Sequence, residues 1–181
     1  DPIIPDYCDS NGNDTSDEYI GRVQLNTLDN NNSESGTPIG TGYSDFTTDA
    51  ALITTLLGGS QYTITITPFW TGNPFNEGYS VWIDYNNDGD FNDSAEQVWT
   101  QAPSTNTTVS GTFTIPTTIS YGQTRMRVSL KYDGIPTACE LFGFGEAEDY
   151  TVNLAYDGLL FMNNTWIPNA PSDITAVDNA L

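Results

Sequence analysis

Through most of the chain apolar and polar residues alternate one by one, and clusters of Gly, Pro, Asn or Asp interrupt the alternation about every ten residues. A period of two predicts strands that bury one face, and regular breakers predict tight turns between them. Tyr62, Ile64 and Ile66 alternate with Thr63, Thr65 and Thr67; Val81 and Ile83 follow Gly78; Val98 and Trp99 open another short strand; Val109, Phe113 and Ile115 make one that stops at Pro116. Met126, Val128 and Leu130 alternate with Arg125, Arg127, Ser129 and Lys131, which puts three cations on one strand face. Tyr19 to Leu25 is the expected first strand, and Tyr150, Val152 and Leu154 mark the last clear one. Only Asp49 to Leu57 resembles a short helix, and a turn followed by a strand describes it better. The prediction is an all-β, antiparallel β-sandwich, jelly-roll-like or Ig-like, over residues 1–154. From residue 155 to 181 the pattern dissolves around Asn163, Asn164, Pro168, Asn169, Pro171 and Asp173, with Trp166 isolated and a late apolar run from Ile174 to Val177. That segment is expected to be a linker or tail, or the start of a following module, docking on the sandwich or on another chain.

Charge narrows the function classes. The 181 residues carry 4 Lys+Arg against 24 Asp+Glu and no His, a formal net charge of −20. Nucleic-acid binding is disfavoured, because phosphate recognition needs clustered cations; an anionic membrane surface is disfavoured for the same reason. Without imidazole there is no Ser-His-Asp or Cys-His nucleophile and no histidine-bound zinc. A pair of carboxylates running a glycosidase survives this filter. No stretch approaches the roughly 20 apolar residues of a membrane span, and an exported form is expected to have lost its signal before Asp1. The two cysteines, Cys8 and Cys139, allow one intramolecular pairing, the alternative being two separate buried thiols. A disulfide would imply an oxidising, extracellular setting.

The most informative run is Asp84-Tyr85-Asn86-Asn87-Asp88-Gly89-Asp90-Phe91-Asn92-Asp93, followed by Glu96. Oxygen-bearing side chains at alternate positions ahead of a glycine match the first half of an EF-hand-type calcium loop, where a tight turn points alternate side chains at one ion. Asp84, Asn86, Asp88, Asp90, Asp93 and Glu96 are therefore the candidate Ca2+ ligands, against the alternative of an ordinary polar hairpin turn. In Gly145-Glu146-Ala147-Glu148-Asp149-Tyr150, alternation puts Glu146 and Glu148 on one face and Asp149 on the other. Arg125 and Arg127 have the same two-residue spacing, so cross-strand ion pairs are expected; a second cation site and a catalytic acid pair are the alternatives. Phe69, Trp70, Phe75 and Tyr79, read as a loop beside Glu77, could form a sugar-stacking platform or cap the core. Trp82 and Trp99 are expected to buttress the core and the acidic loop.

Tyr7-Cys8 with Ser10, Glu18-Tyr19-Ile20, Gly42-Tyr43-Ser44-Asp45-Phe46-Thr47, Val81-Trp82-Ile83-Asp84-Tyr85-Asn86 with Asp88-Gly89-Asp90-Phe91, Thr124-Arg125-Met126-Arg127-Val128, Cys139 and Gly145-Glu146-Ala147-Glu148-Asp149-Tyr150 together resemble the GEVED domain. The resemblance covers residues 7–154, with Ala147 where the name-giving motif has valine. It implies a β-sandwich accessory module of multidomain secreted or cell-surface proteins, chiefly of Bacteroidetes, beside peptidase, adhesin and sorting modules. Asn164-Thr165-Trp166-Ile167-Pro168 with Ala170-Pro171 resembles the start of a following module. Asp93-Ser94-Ala95 resembles an O-glycosylation signal of exported Bacteroidetes proteins, with Ser94 as acceptor.

These readings converge on a non-catalytic, calcium-stabilised module acting in display, adhesion or assembly. Its expected partners are other modules or copies of the same extracellular protein, or glycans, without nucleic acid or membrane insertion. A carbohydrate-binding module and a fibre subunit docked through its tail are the alternatives. A glycosidase using Glu146 and Glu148 is disfavoured, because two such acids belong in a cleft rather than paired with arginines.

Overall fold

The computed structural model describes residues 7–31, 33–36, 38–156, 159–162 and 165–168. The strands are β1 (Asn11–Asp14), β2 (Glu18–Leu25), β3 (Leu28–Asn30), β4 (Tyr43–Asp45), β5 (Thr54–Leu57), β6 (Gln61–Trp70), β7 (Glu77–Ile83), β8 (Gln97–Ser104), β9 (Val109–Thr114), β10 (Gly122–Tyr132), β11 (Leu141–Ala155), β12 (Leu159–Met162) and β13 (Thr165–Pro168), and the predicted alternations fall on β2 and β6 to β11. Asp49 to Leu57 is a turn followed by β5.

Two sheets face each other. The smaller has the order β3-β2-β6-β9, and the larger runs β1-β11-β10-β7-β8 with β4 and β5 also on β11. Ile20, Val23, Leu25, Ile64 and Ile66 from the smaller sheet meet Val81, Ile83, Met126, Val128, Leu130, Tyr150, Val152 and Leu154 from the larger. Full burial of such a side chain is worth about 1.5–3 kcal/mol, so this interior dominates stability. The protein is thus an all-β sandwich.

The sheet is not wholly antiparallel. The fifteen-residue β11 is flanked on one side by β10, while β1, β4 and β5 pair with it in parallel at Leu141 to Phe144, Ala147 to Asp149 and Val152 to Ala155. Three short segments laid end to end cover an edge that would otherwise invite pairing with another chain. The crossing of β1, β11 and β10 is tight enough to require glycine: Gly145 has φ +117°, and a Cβ there would stand 2.1 Å from the Leu130 carbonyl oxygen.

Residues 133–140 cross the outer face of β7, where Ser80 Oγ donates to the Pro136 carbonyl at 3.0 Å. This path brings Cys139 to Cys8, and the two form a disulfide across 131 residues of sequence. β12 and β13 pair antiparallel in a separate two-stranded sheet. Their short apolar runs were masked in the sequence by the surrounding Asn and Pro. The expected Ile174 to Val177 run lies outside the described residues.

Candidate functional site

The acidic loop connects β7 to β8 and turns through left-handed backbone at Asn87 (φ 59°) and Gly89 (φ 97°). Its predicted ligands divide into two sets. Asp84 is fully buried: Oδ1 accepts from the Asn87 N–H at 2.5 Å, and Oδ2 from the Gly89 N–H at 3.1 Å and the Tyr7 hydroxyl at 2.6 Å. Glu96 is also buried, accepting from the Tyr85 N–H at 2.9 Å. Burial pushes its carboxyl upward, and the charges of Asp84 and Asp93 add to this against the backbone donors. These two acids tie the loop to the sandwich. Asn86, Asp88 and Asp93 converge on the exposed side, where the Asn86 amide donates to Asp88 Oδ2 at 2.9 Å and Asp93 Oδ2 at 2.5 Å. Asp90 Oδ1 accepts from the Asn92 N–H at 2.8 Å. Among the described residues no three His, Cys, Asp or Glu are gathered into a ready-made metal site. The one-ion ring of six ligands that the spacing suggests is therefore split in this conformation. Tandem Asx turns draw the side-chain oxygens of Asn86, Asp88 and Asp90 to backbone N–H groups instead. Ser94 is exposed beside Asp93.

The predicted arginine pairing needs correction. In the β10–β11 register Arg127 stands opposite Asp149, while Glu148 and Glu146 stand opposite Val128 and Leu130 and so face the core. Arg127 Nε and Nη2 grip Asp149 at 2.7 and 2.8 Å, and Arg125 Nη1 reaches it at 3.1 Å. Arg127 Nη1 also donates to the Cys8 and Ala138 carbonyls, both at 2.8 Å, which links the ion pair to the disulfide. Asp149 is the arginine partner, and the two glutamates have none.

Glu146 accepts from Ser44 Oγ at 2.8 Å and the Ile20 N–H at 3.0 Å. Glu148 accepts from Ser33 Oγ, and from the Tyr150 hydroxyl at 2.7 Å. Burial pushes Glu146 up to about 8 and raises Glu148 well above the usual carboxylate range, with the Glu146 charge adding to the latter. Both are 0% exposed. A substrate cannot reach them, so they pin β2, β4 and the Ser33 segment onto β11.

The aromatic stretch is not one loop. Phe69 and Trp70 lie on β6, Tyr79 lies on β7 in the core cluster, and only residues 71–76 connect the strands. Tyr79 is thereby removed from any sugar platform, because the inward face of a strand claims its ring. Phe69 stacks on Tyr19 at 4.6 Å. Phe75 meets Tyr132 edge-on at 5.9 Å, and Tyr132 meets Phe144 likewise at 6.1 Å. Asp17, Glu18, Phe75, Tyr132 and Phe144 line a cavity of about 240 Å³. Tyr132 and Phe144 extend the inward series of β10 and β11 past the core, the signal by which they could have been found. Trp82 is buried, and Trp99 packs partly buried against the core.

The GEVED domain family matches residues 78–153, which span β7 to β11 and both conspicuous acidic motifs. No curated protein matches the sequence. Among solved structures the chain is similar to a Niemann-Pick type C2 protein from Japanese carpenter ant, with TM-score 0.39 and 4% identity over 78% of this chain and 96% of that one. It is also similar to an AA10 lytic polysaccharide monooxygenase from Streptomyces lividans, with TM-score 0.31 and 16% identity over 56% and 58% of the two chains. The CARDB domain of the PF1109 protein from Pyrococcus furiosus, solved in complex with di-metal ions, gives TM-score 0.32 and 13% identity over 58% and 86%. At such scores none of the three transfers a ligand or an activity to this chain.

Proposed function

We propose that this chain is a GEVED-type, non-catalytic β-sandwich module of a secreted or cell-surface multidomain protein, acting in structural display, adhesion or assembly and stabilised by calcium in the 84–96 loop. The observation that carries the reading is the convergence of Asn86, Asp88 and Asp93 on the solvent side of a loop whose base is held by buried Asp84 and Glu96. A single amide group sits between two carboxylates there. Calcium in its place would meet both carboxylates and, once the carboxamide turns over, the Asn86 oxygen, with Asp90 and water available to complete an oxygen shell. The ion would supply positive charge that a chain of net charge −20 lacks.

The disulfide suits an oxidising compartment. A non-catalytic role is supported by the sealed position of Glu146 and Glu148 and by the absence of histidine. The family's occurrence in Bacteroidetes surface proteins supports other modules, or copies of the same protein, as partners.

Thermal unfolding in calcium and in EDTA tests the reading, because an ion bound only to the folded state stabilises it by mass action. Asp88→Ala is expected to lower the melting temperature in calcium and change little in chelator. Equal loss in both buffers removes the ion from the account.

A further inference from the structure

At one open end of the sandwich the inward faces of the two sheets stop being apolar. Glu18 from β2 and Glu77 from β7 close the core there, and the rings of Phe75, Tyr132 and Phe144 stand around the mouth. Glu18 is 2% exposed and lines the cavity, yet among the described residues its carboxylate has no hydrogen bond or ion pair. Glu77 is fully buried and its Oε2 has no partner; its Oε1 meets only the Trp70 indole N–H at 3.5 Å. Two buried acids with such poor compensation are costly.

Among the described residues no Lys or Arg side chain is left to compensate them. Arg22 is paired with Asp29, Arg125 and Arg127 with Asp149, and Lys131 with Glu140, which accounts for all four. A positive charge at this mouth would therefore be supplied by a bound partner rather than by these four side chains. We propose that the cavity lined by Asp17, Glu18, Phe75, Tyr132 and Phe144 is a binding pocket for the basic side chain, ammonium or guanidinium, of a peptide segment. Glu18 and Asp17, which line the cavity, would pair with the charge, and Glu77, buried behind them, would add to the negative potential. The three rings would pack its alkyl stem and face the cation, the geometry of an aromatic cage. A bare hard metal ion takes about six or more oxygen ligands, and this lining gives it only two carboxylates and the Tyr132 hydroxyl beside two phenyl rings. A neutral sugar would cover the rings and donate hydroxyls to the carboxylates but bring no positive charge to them.

The test is titration of the full chain, followed by NMR, with N-acetyl-lysine methylamide and N-acetyl-arginine methylamide. The uncharged isostere N-acetyl-norleucine methylamide and a cello-oligosaccharide serve as comparisons. The basic probes are expected to shift the signals around Phe75, Tyr132 and Phe144 saturably, and norleucine to bind at least tenfold more weakly, about 1.4 kcal/mol. Glu18→Gln relieves repulsion with Glu77, Asp14 and Asp17 and should fold; it is expected to cost about tenfold in lysine affinity. Phe75→Ala is expected to cost several-fold. Equal binding of norleucine, undiminished lysine binding by folded Glu18→Gln, or no binding by the basic probes overturns the proposal. Selective binding of the oligosaccharide also overturns it and makes the pocket a sugar site.

Discussion

The stability of this protein should fall as pH rises from about 5 to about 8, against the usual trend for carboxylate-rich chains. The cause is the pair of glutamates sealed between the sheets. Burial raises Glu146 from 4.5 to about 8, so the folded state retains a proton that the unfolded chain releases. A raised carboxyl costs nothing below its unfolded value, when both states are protonated. The penalty then grows until the pH passes the folded value, and stays constant above it. At about 1.4 kcal/mol per unit the Glu146 shift caps this penalty at about 5 kcal/mol, a large share of a typical folding free energy. Glu148 acts in the same direction. Glu18 and Glu77, both pushed to about 7 by burial and by neighbouring negative charge, add to the slope. Asp14, Asp29 and Glu140 are depressed, and their contribution is lost only at more acidic pH. Glu146→Gln removes the titration and keeps the contacts, since its amide oxygen can accept from the Ile20 N–H and its amide group can donate to a rotated Ser44 hydroxyl. Urea unfolding at about pH 5 and about pH 8 is expected to show near-equal stability at the lower pH and a variant ~2–5 kcal/mol more stable at the higher. Unchanged pH dependence in the variant would refute the assignment of the slope to this pair.

Three further outcomes follow from the packing. Cys139→Ser opens a covalent loop spanning 131 residues of sequence separation, and the chain-entropy model predicts a loss of about 5 kcal/mol, read by denaturant unfolding against the disulfide-intact wild type. Asp149→Asn strips the carboxylate from Arg127 while leaving the buried guanidinium, with an expected cost of about 3–5 kcal/mol; a paired Arg127→Met, Asp149→Leu variant should recover much of it in the same assay. Gly145→Ala meets both a left-handed φ and the Leu130 carbonyl, so this single methyl should abolish cooperative unfolding by circular dichroism, whereas the same change at exposed, uncrowded Gly72 should be tolerated.

The sandwich could be read from the sequence because its strands alternate strictly, as β6 and β10 do, and strict alternation commits one face to burial. The parallel edge of β11 could not, because Asn11–Asp14 and Tyr43–Asp45 are too short and polar to show a period and are strands only by virtue of β11. Alternation correctly separated Glu146 and Glu148 from Asp149. The pairing of the wrong set with the arginines came from treating acids as surface residues, when Val128 and Leu130 across the strand place both glutamates inside. The Phe75, Tyr132 and Phe144 pocket escaped because three strand ends and a loop, distant in sequence, meet there only after the sheets close. The 84–96 loop was read as a calcium site from its spacing alone, and in the structure the side-chain oxygens of Asn86, Asp88 and Asp90 accept from backbone N–H groups.

The central claim is that the 84–96 loop takes up calcium, and equilibrium dialysis against radiolabelled calcium addresses it most directly. The account predicts saturable uptake of a single ion per chain that Asp88→Ala and Asp93→Ala variants lose while remaining folded. Uptake by neither the wild type nor the variants at millimolar calcium would contradict it, as would uptake that both variants retain in full.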